Sequence, residues 1–380
     1  MESFPGCEYF ENAYYGDKKG QLHEVDGVLL YQNFLFDVEV KAGKADPDSV
    51  LADPKKAIDS YRAIVEGGIR ECDSFSAFCE AHKTIDIRAS NGKIKKSVPK
   101  ERIKAIVPIV IFYEEMGCFL PGFTSTEGPT GKQRPTLLNV FDFLTIIDYL
   151  QSPLLATKYL YERSYPTVCD RLSFDDELPF LSIFTKETVN LAVFLSKMKE
   201  KVESFPEATQ AHLDDGNLSR DIEKYYMNLK KTRKPDFHFP KLVELLLKNE
   251  DAFDAEFFDL AFDLLGNEPE DLDRIYSFYF KANSGSKNVP QLLRPSSKKE
   301  NEEGIVLAKR PSSPYDKKLL LSFLAFYFNR YPELTALNVI KIRREEASFE
   351  RITKADSAIN DPGVQEASKK LILLMEDTEI

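Results

Sequence analysis

Asp26, Glu39 and Lys41 are the residues of this chain whose types and spacing suit them best to chemistry. They lie in QLHEVDGVLLYQNFLFDVEVKAGK, residues 21–44, where the apolar runs Val28–Tyr31 and Phe34–Phe36 flank Gln32-Asn33. That pattern predicts two antiparallel strands joined by a two-residue turn, with Asn33 at positive φ. With Tyr31 opposite Phe34, the same register sets Asp26 opposite Glu39, their Cβ atoms roughly 5 Å apart. Lys41 projects from the same face, opposite Glu24, and Asp37 falls there too, opposite Val28. The other face carries Val25, Gly27, Leu29, Tyr31, Phe34, Phe36, Val38 and Val40 and is the expected core. One face is expected to pack and the other to hold charge.

Like charges set opposite each other in a sheet repel, so the Asp26–Glu39 pair calls for a compensating cation. Mg²⁺, with Mn²⁺ as a substitute, prefers oxygen ligands and is commonly held by one or two carboxylates plus water and a substrate phosphate. Lys41 would then orient or deprotonate an attacking water, or stabilise charge on the phosphoryl group. A bound metal acidifies water by itself, so no histidine is required.

An Asp followed thirteen positions later by Glu-x-Lys, in a strand–turn–strand context, resembles the PD-(D/E)XK nuclease superfamily. The segment EVDGVLLYQNFLFDVEVKAGK is most similar to its nuclease-related branch, where an E-x-D strand feeds one ending in E-V-K. The resemblance implies a restriction-endonuclease-like fold and a metal-dependent endo- or exonuclease acting on DNA or RNA, in defence or repair. It makes Asp26 and Glu39 the metal ligands and Lys41 the catalytic lysine, with Glu24, Glu11 and Arg62 as auxiliary candidates. Members of the superfamily usually begin with a helix whose glutamate completes the metal site. Here ENAYYG reads as a strand, so either that helix is missing or another residue supplies the ligand. The alternative implied function is a catalytically inactive nuclease fold serving as a nucleic-acid-binding or protein-interaction module.

Net charge is −11 over 380 residues, which argues against a general nucleic-acid binder, but its distribution is uneven. Residues 83–104 hold eight bases against two acids, while residues 250–273 hold ten acids and no base. Within the basic stretch Lys93, Lys95 and Lys96 are candidate nucleic-acid contacts. Five scattered cysteines lack any C-x₂-C pair, which excludes a zinc framework and fits reduced, cytoplasmic thiols. No apolar run approaches about 18 residues and no signal peptide is evident, so neither a membrane span nor secretion is expected. The four histidines stand far apart. GPTGKQ lacks the glycine and the Ser/Thr that a phosphate loop needs.

After the hairpin, residues 54–82 read as one helix opened by Pro54, with Ala57, Ile58, Tyr61, Ile64, Val65, Ile69, Cys72, Phe75 and Cys79 along a buried stripe. This helix is expected to cover the apolar face. Strands follow at 84–88 and 103–112, the latter interrupted by Pro108. The predicted organisation is an α/β domain with a mixed sheet over 1–120. A boundary at 117–135 then leads to a mostly α-helical region over 136–380, with a loop at 284–313. Expected helices there span 137–150, 186–202, 218–230, 240–248, 256–265 and 317–327. The helical region is the expected site of a homodimer or protein-partner contact.

Overall fold

The computed structural model describes residues 4–16, 20–42, 54–113, 133–165, 177–186, 240–266, 290–293, 303–343 and 346–376, with a few isolated positions between them. Two compact units divide the chain: residues 1–239 with 262–268, and residues 240–261 with 269–380. The division falls at 239/240 and again on either side of 262–268, while the expected boundary at 117–135 lies largely outside the described residues.

The first unit is built on a seven-stranded mixed sheet. Its strands are β1 (Glu8–Gly16), β2 (Leu22–Tyr31), β3 (Phe34–Lys41), β4 (Thr84–Arg88), β5 (Ile94–Pro99), β6 (Ala105–Phe112) and β7 (Thr136–Asn139). They lie in the order β5-β4-β1-β2-β3-β6-β7. The three strands β1, β2 and β3 form an antiparallel meander, while β6 and β7 run parallel to β3. The β2–β3 pairing runs from Tyr31↔Phe34 to Gly27↔Val38, the register the turn predicts. It is Gln32 (φ 53°) rather than Asn33 that takes the left-handed conformation. Pro108 is accommodated because β7 pairs with β6 only from Ile109 onward. Among the described residues no strand pairs with Pro108 on that side, where a missing donor is tolerated.

Helix α1 (Pro54–Ala81) makes the crossover from β3 toward the parallel strand β6. It covers the face that carries Asp37, Glu39 and Lys41, not the face expected. Val65 and Cys72 pack on Val110 and Phe112. Phe75, Phe78 and Cys79 pack with Ala13, Tyr15, Val25, Val28, Leu35, Ile85 and Ile87. Gly68 permits this approach, since a Cβ there would stand 2.6 Å from Val110 Cγ1 and 3.3 Å from Lys41 Cε. The opposite face is closed around Phe34 and Phe36, with Phe4 on Phe36 and Tyr161 on Phe34.

Strict alternation fails in β1 and β2. Val25 and Val28 have opposite parity, yet both lie in the cluster beneath α1, as do Ala13 and Phe10. The slip falls at Asp26-Gly27 and at Asn12, whose φ is 43°. A one-residue shift of this kind turns every later side chain to the other face.

Three helices complete the described part of the first unit: α2 (Val140–Leu150), α3 (Pro153–Arg163) and α4 (Leu178–Lys186). Asn139 and Ser152 cap the first two through their side chains. Helix α3 is buried almost all round, and its charges are paired: Lys158 with Glu162 at 2.9 Å, Arg163 with Glu177 at 2.7 Å.

The second unit contains α5 (Lys241–Lys248) and most of α6 (Ala255–Leu264), which spans the division. It also holds a four-stranded sheet absent from the sequence expectation: β8 (Gln291–Leu293), β9 (Glu303–Lys309), β10 (Ala336–Arg343) and β11 (Glu346–Thr353), ordered β11-β10-β9-β8. Two of these strands fall within the stretch 284–313 read as a loop. Helix α7 (Pro314–Arg330) links the parallel pair β9 and β10, and α8 (Pro362–Glu376) packs on α7. The expected helices at 186–202 and 218–230 lie almost wholly outside the described residues. No described helix is long and apolar enough to cross a membrane.

Candidate functional site

Where β3 ends, its outer ladder opens. Pairing with β2 stops at Gly27↔Val38, and the next position is bridged by a side chain: the Val40 N–H donates to Asp26 Oδ2 at 2.8 Å. Asp26 and Glu39 are therefore not a backbone-paired couple, as the extended register implied. Asp26 stands in for a strand carbonyl, which holds its carboxylate in the seam between β2 and β3. On the α1 side of β3, Lys41 Nζ donates to Glu39 Oε2 at 3.3 Å and to Glu71 Oε2. Glu71 comes from α1, so lysine, strand glutamate and helix glutamate form one group. Asp37 lies two residues deeper on the same face, beside Cys72.

Burial grades this group. The Asp37 residue has no exposed area and Glu39 is 2 % exposed, whereas the side chains of Lys41 and Glu71 are 18 % and 49 % exposed. Burial, the hydrogen bond with Glu71 and the nearby charges of Asp37 and Asp26 push the Glu39 carboxyl up to about 9. Glu71 moves the opposite way: burial raises it, but its bonds to Glu39 and Lys41 win and hold it below the usual range. The two neighbouring carboxyls are thus pushed apart, Glu39 upward and Glu71 downward. Burial also drives Asp37 well above the carboxylate range. The Cys72 thiol beside it is aimed at the Ile109 carbonyl, 3.9 Å away, and neither Asp37 oxygen has a hydrogen-bond partner by geometry. For Lys41, burial pulls downward, yet Glu71 and Glu39 outweigh it and the ammonium is held above its ordinary value.

Glu39 Oε1 is buried and lacks a hydrogen-bond partner, and the backbone bond to Asp26 engages only Oδ2. An oxygen-only donor set of this kind suits Mg²⁺ or Mn²⁺ bound through two carboxylates and water. Among the described residues no group of three or more His, Cys, Asp and Glu side chains is arranged to hold a metal ion.

The remaining sequence candidates lie elsewhere. The slip at Asp26-Gly27 turns Glu24 away from α1, where it bonds Tyr14 and raises that phenol's pKa. Glu11 pairs with Gly27 on β1 and is exposed. Arg62 lies nine residues before Glu71 on α1, about 13 Å along the axis and on the opposite side of the helix, near Asp59 at 3.9 Å. On the outermost strand β5, Lys95 donates to the Glu11 carbonyl at 3.5 Å and Lys96 pairs with Glu8 at 2.7 Å. Lys93 is exposed in the β4–β5 connection. His23 stacks on Tyr15, with ring centroids 5.2 Å apart.

Glu71 is the member that sequence reading missed, and a signal existed. Gly68, Glu71, Cys72 and Phe75 follow i, i+3, i+4, i+7 spacing, so an acid occupies the border of the buried stripe. Comparison with protein-family models, curated proteins and solved structures gives no match.

Proposed function

We propose that the chain is a divalent-metal-dependent nuclease of the PD-(D/E)XK superfamily with a restriction-endonuclease-like first unit. The observation that carries this reading is the Glu39–Lys41–Glu71 group at the end of β3, with Asp26 bonded to the Val40 N–H in the adjoining seam. The order hairpin, helix, then a further strand parallel to β3 agrees with the core that the resemblance implies. Glu71, from the crossover helix, would take the place of the glutamate usually supplied by an N-terminal helix.

Asp26 and Glu39 would hold Mg²⁺, which when bound polarises a phosphoryl oxygen and acidifies water. A metal would compete with a proton for Glu39, whose carboxyl is pushed up to about 9. Glu71 then remains to keep Lys41 charged and aimed. With its pKa held high, Lys41 acts as a donor, orienting the attacking water and stabilising charge on the phosphate, rather than as a base. Asp37 is too deep to meet a substrate.

The test is cleavage of supercoiled plasmid, single-stranded DNA and RNA by the full chain with Mg²⁺, Mn²⁺ or EDTA. Metal-dependent cleavage is expected, reduced roughly 10²–10⁴-fold in Lys41→Ala and at least as far in Asp26→Ala. Full activity in either variant would refute the assignment. A second reading, a nuclease fold that binds without cutting, is favoured by the burial of Glu39 and by its proton bond to Glu71. Nucleic-acid binding with no cleavage in either metal would select it.

A further inference from the structure

Where the β2–β3 ladder ends, a glycine is buried without a side chain of its own. Gly27 pairs with Glu11 of β1 and with Val38 of β3, and it is the last β2 residue in regular pairing with β3. A Cβ built on Gly27 would stand 3.1 Å from both Cε2 and Oη of Tyr9 and 3.5 Å from its Cζ. These are its three nearest atoms outside the adjoining residues, so the hydroxyl edge of the Tyr9 ring lies on the bare backbone of Gly27. Tyr9 itself pairs with Leu29, two residues along β2, and an aromatic side chain spans that diagonal. Phe10 packs in the cluster beneath α1, so by alternation Tyr9 meets Gly27 from the other face of the sheet. The rest of the ring stands in solvent, and the residue is 45 % exposed.

The residue before Gly27 is Asp26, whose Oδ2 accepts from the Val40 N–H at 2.8 Å, just beyond the last regular pair. That bond bridges a seam where the ladder has opened, so water competes with Asp26 for the Val40 amide. Glycine is also the residue that loses most freedom when its backbone is ordered. A ring seated on Gly27 restricts that freedom and screens the neighbouring bond. The two groups sense each other: burial first, then the charges of Glu11 and Asp26, raise the Tyr9 phenol above its ordinary value. The absence of a side chain at position 27 is what lets the ring come down on the strand. A methyl there would push it off, and a small residue at position 9 would leave the glycine bare.

We infer that Tyr9 is a positioning residue for Asp26: its ring, seated on Gly27, holds the Asp26 carboxylate against the Val40 N–H. With Oδ2 engaged in that bond, Oδ1 is presented from a fixed place in the seam. The functional meaning rests on the nuclease reading, in which Asp26 is a metal ligand and Tyr9 touches neither metal nor substrate. Groups that orient a metal ligand in this way set metal affinity by roughly ten- to hundredfold. The covering ring carries the effect, so phenylalanine, which keeps Cε2 and Cζ, replaces tyrosine without loss.

The test is hydrogen exchange of the Val40 amide in the full chain, with Mn²⁺ binding measured alongside. In EDTA, exchange at Val40 is expected to be roughly tenfold faster in Tyr9→Ala and unchanged in Tyr9→Phe. Gly27→Ala is expected to reproduce Tyr9→Ala, and the double variant to be no worse than either alone, because both remove one contact. Affinity for Mn²⁺ is expected to fall roughly ten- to hundredfold in Tyr9→Ala and to stay at the wild-type level in Tyr9→Phe. The Phe36 amide, deeper in the same strand, is the control and keeps its protection in every variant. Wild-type exchange at Val40 in Tyr9→Ala would overturn the inference, as would Tyr9→Phe as impaired as Tyr9→Ala. So would loosening of Phe36 as large as that of Val40, which makes the ring a clamp on the whole hairpin, or undiminished Mn²⁺ affinity in Tyr9→Ala. A Val40 response as expected in a chain that binds no Mn²⁺ upholds the positioning of Asp26 and removes the metal reading.

Discussion

The two units each carry a parallel crossover, β3-α1-β6 and β9-α7-β10, and each gathers ionisable groups at the ends of its strands. The outcomes differ because burial differs. Under α1 the carboxyls of Asp37 and Glu39 are taken out of water, which pushes both upward, while Lys41 and Glu71 lie nearer the surface. Under α7 the apolar floor stops short of the rim, where Arg310 and Lys317 are exposed. Depth, rather than residue type, decides which ionisable groups are available as ions.

The contrast is broken most directly at Gly68. Gly68→Ala places a methyl against Val110 and Lys41, and we expect a loss of about 1–3 kcal/mol together with loss of metal response, read by thermal melting with and without Mg²⁺. Gly67→Ala, one residue away with nothing within 4 Å of its added Cβ, should instead stabilise by roughly 0.5–1 kcal/mol. Equal effects from the two substitutions would disprove the close packing of α1 on β6.

pH separates the units next. Asp37 and Glu39 hold protons in the fold that the unfolded chain releases near its ordinary carboxylate pKa. Their favourable share of stability is therefore complete below the ordinary carboxylate pKa of about 4 and is lost as pH rises, for Glu39 through about 9. Glu71 has the opposite sign, contributing above the ordinary pKa and losing that contribution in acid, but its exposure makes it the smaller influence. Melting of the first unit should fall between pH 5 and 8.5, by roughly 1–3 kcal/mol, and Asp37→Asn should flatten the slope. A slope unchanged by that substitution would show that Asp37 is not a buried acid. Because metal binding must displace the Glu39 proton, the stabilisation given by Mg²⁺ should be larger at pH 8.5 than at 6.5. The smallest effect belongs to the second unit: Arg310→Gln and Lys317→Gln should change stability by no more than about 0.5 kcal/mol.

Local pattern made the hairpin legible, because a two-residue turn fixes pairing register and alternation fixes faces. The same logic failed at Asp26. Nothing in EVDGV announces that Asn12 adopts positive φ or that alternation slips at Asp26-Gly27, so Glu24 was assigned to the wrong face. The four-stranded sheet of the second unit was also missed. Its strands are short or interrupted by charge, and ALNVIKIR gains its strand identity from the parallel partner β9, thirty-three positions earlier at Ala336↔Glu303.

The sequence by itself determined the β2–β3 register, the helical stripe of α1, and the placing of Glu39 and Lys41 on one face. Each follows from a period of 2 or 3.6 read over neighbouring residues. Tertiary structure alone decided which face α1 would cover, that Glu71 would meet Lys41 across thirty residues, and that Asp37 and Glu39 would lose contact with water. Those outcomes depend on a close approach through Gly68 and on the shared field of several carboxyls, quantities that no local pattern carries.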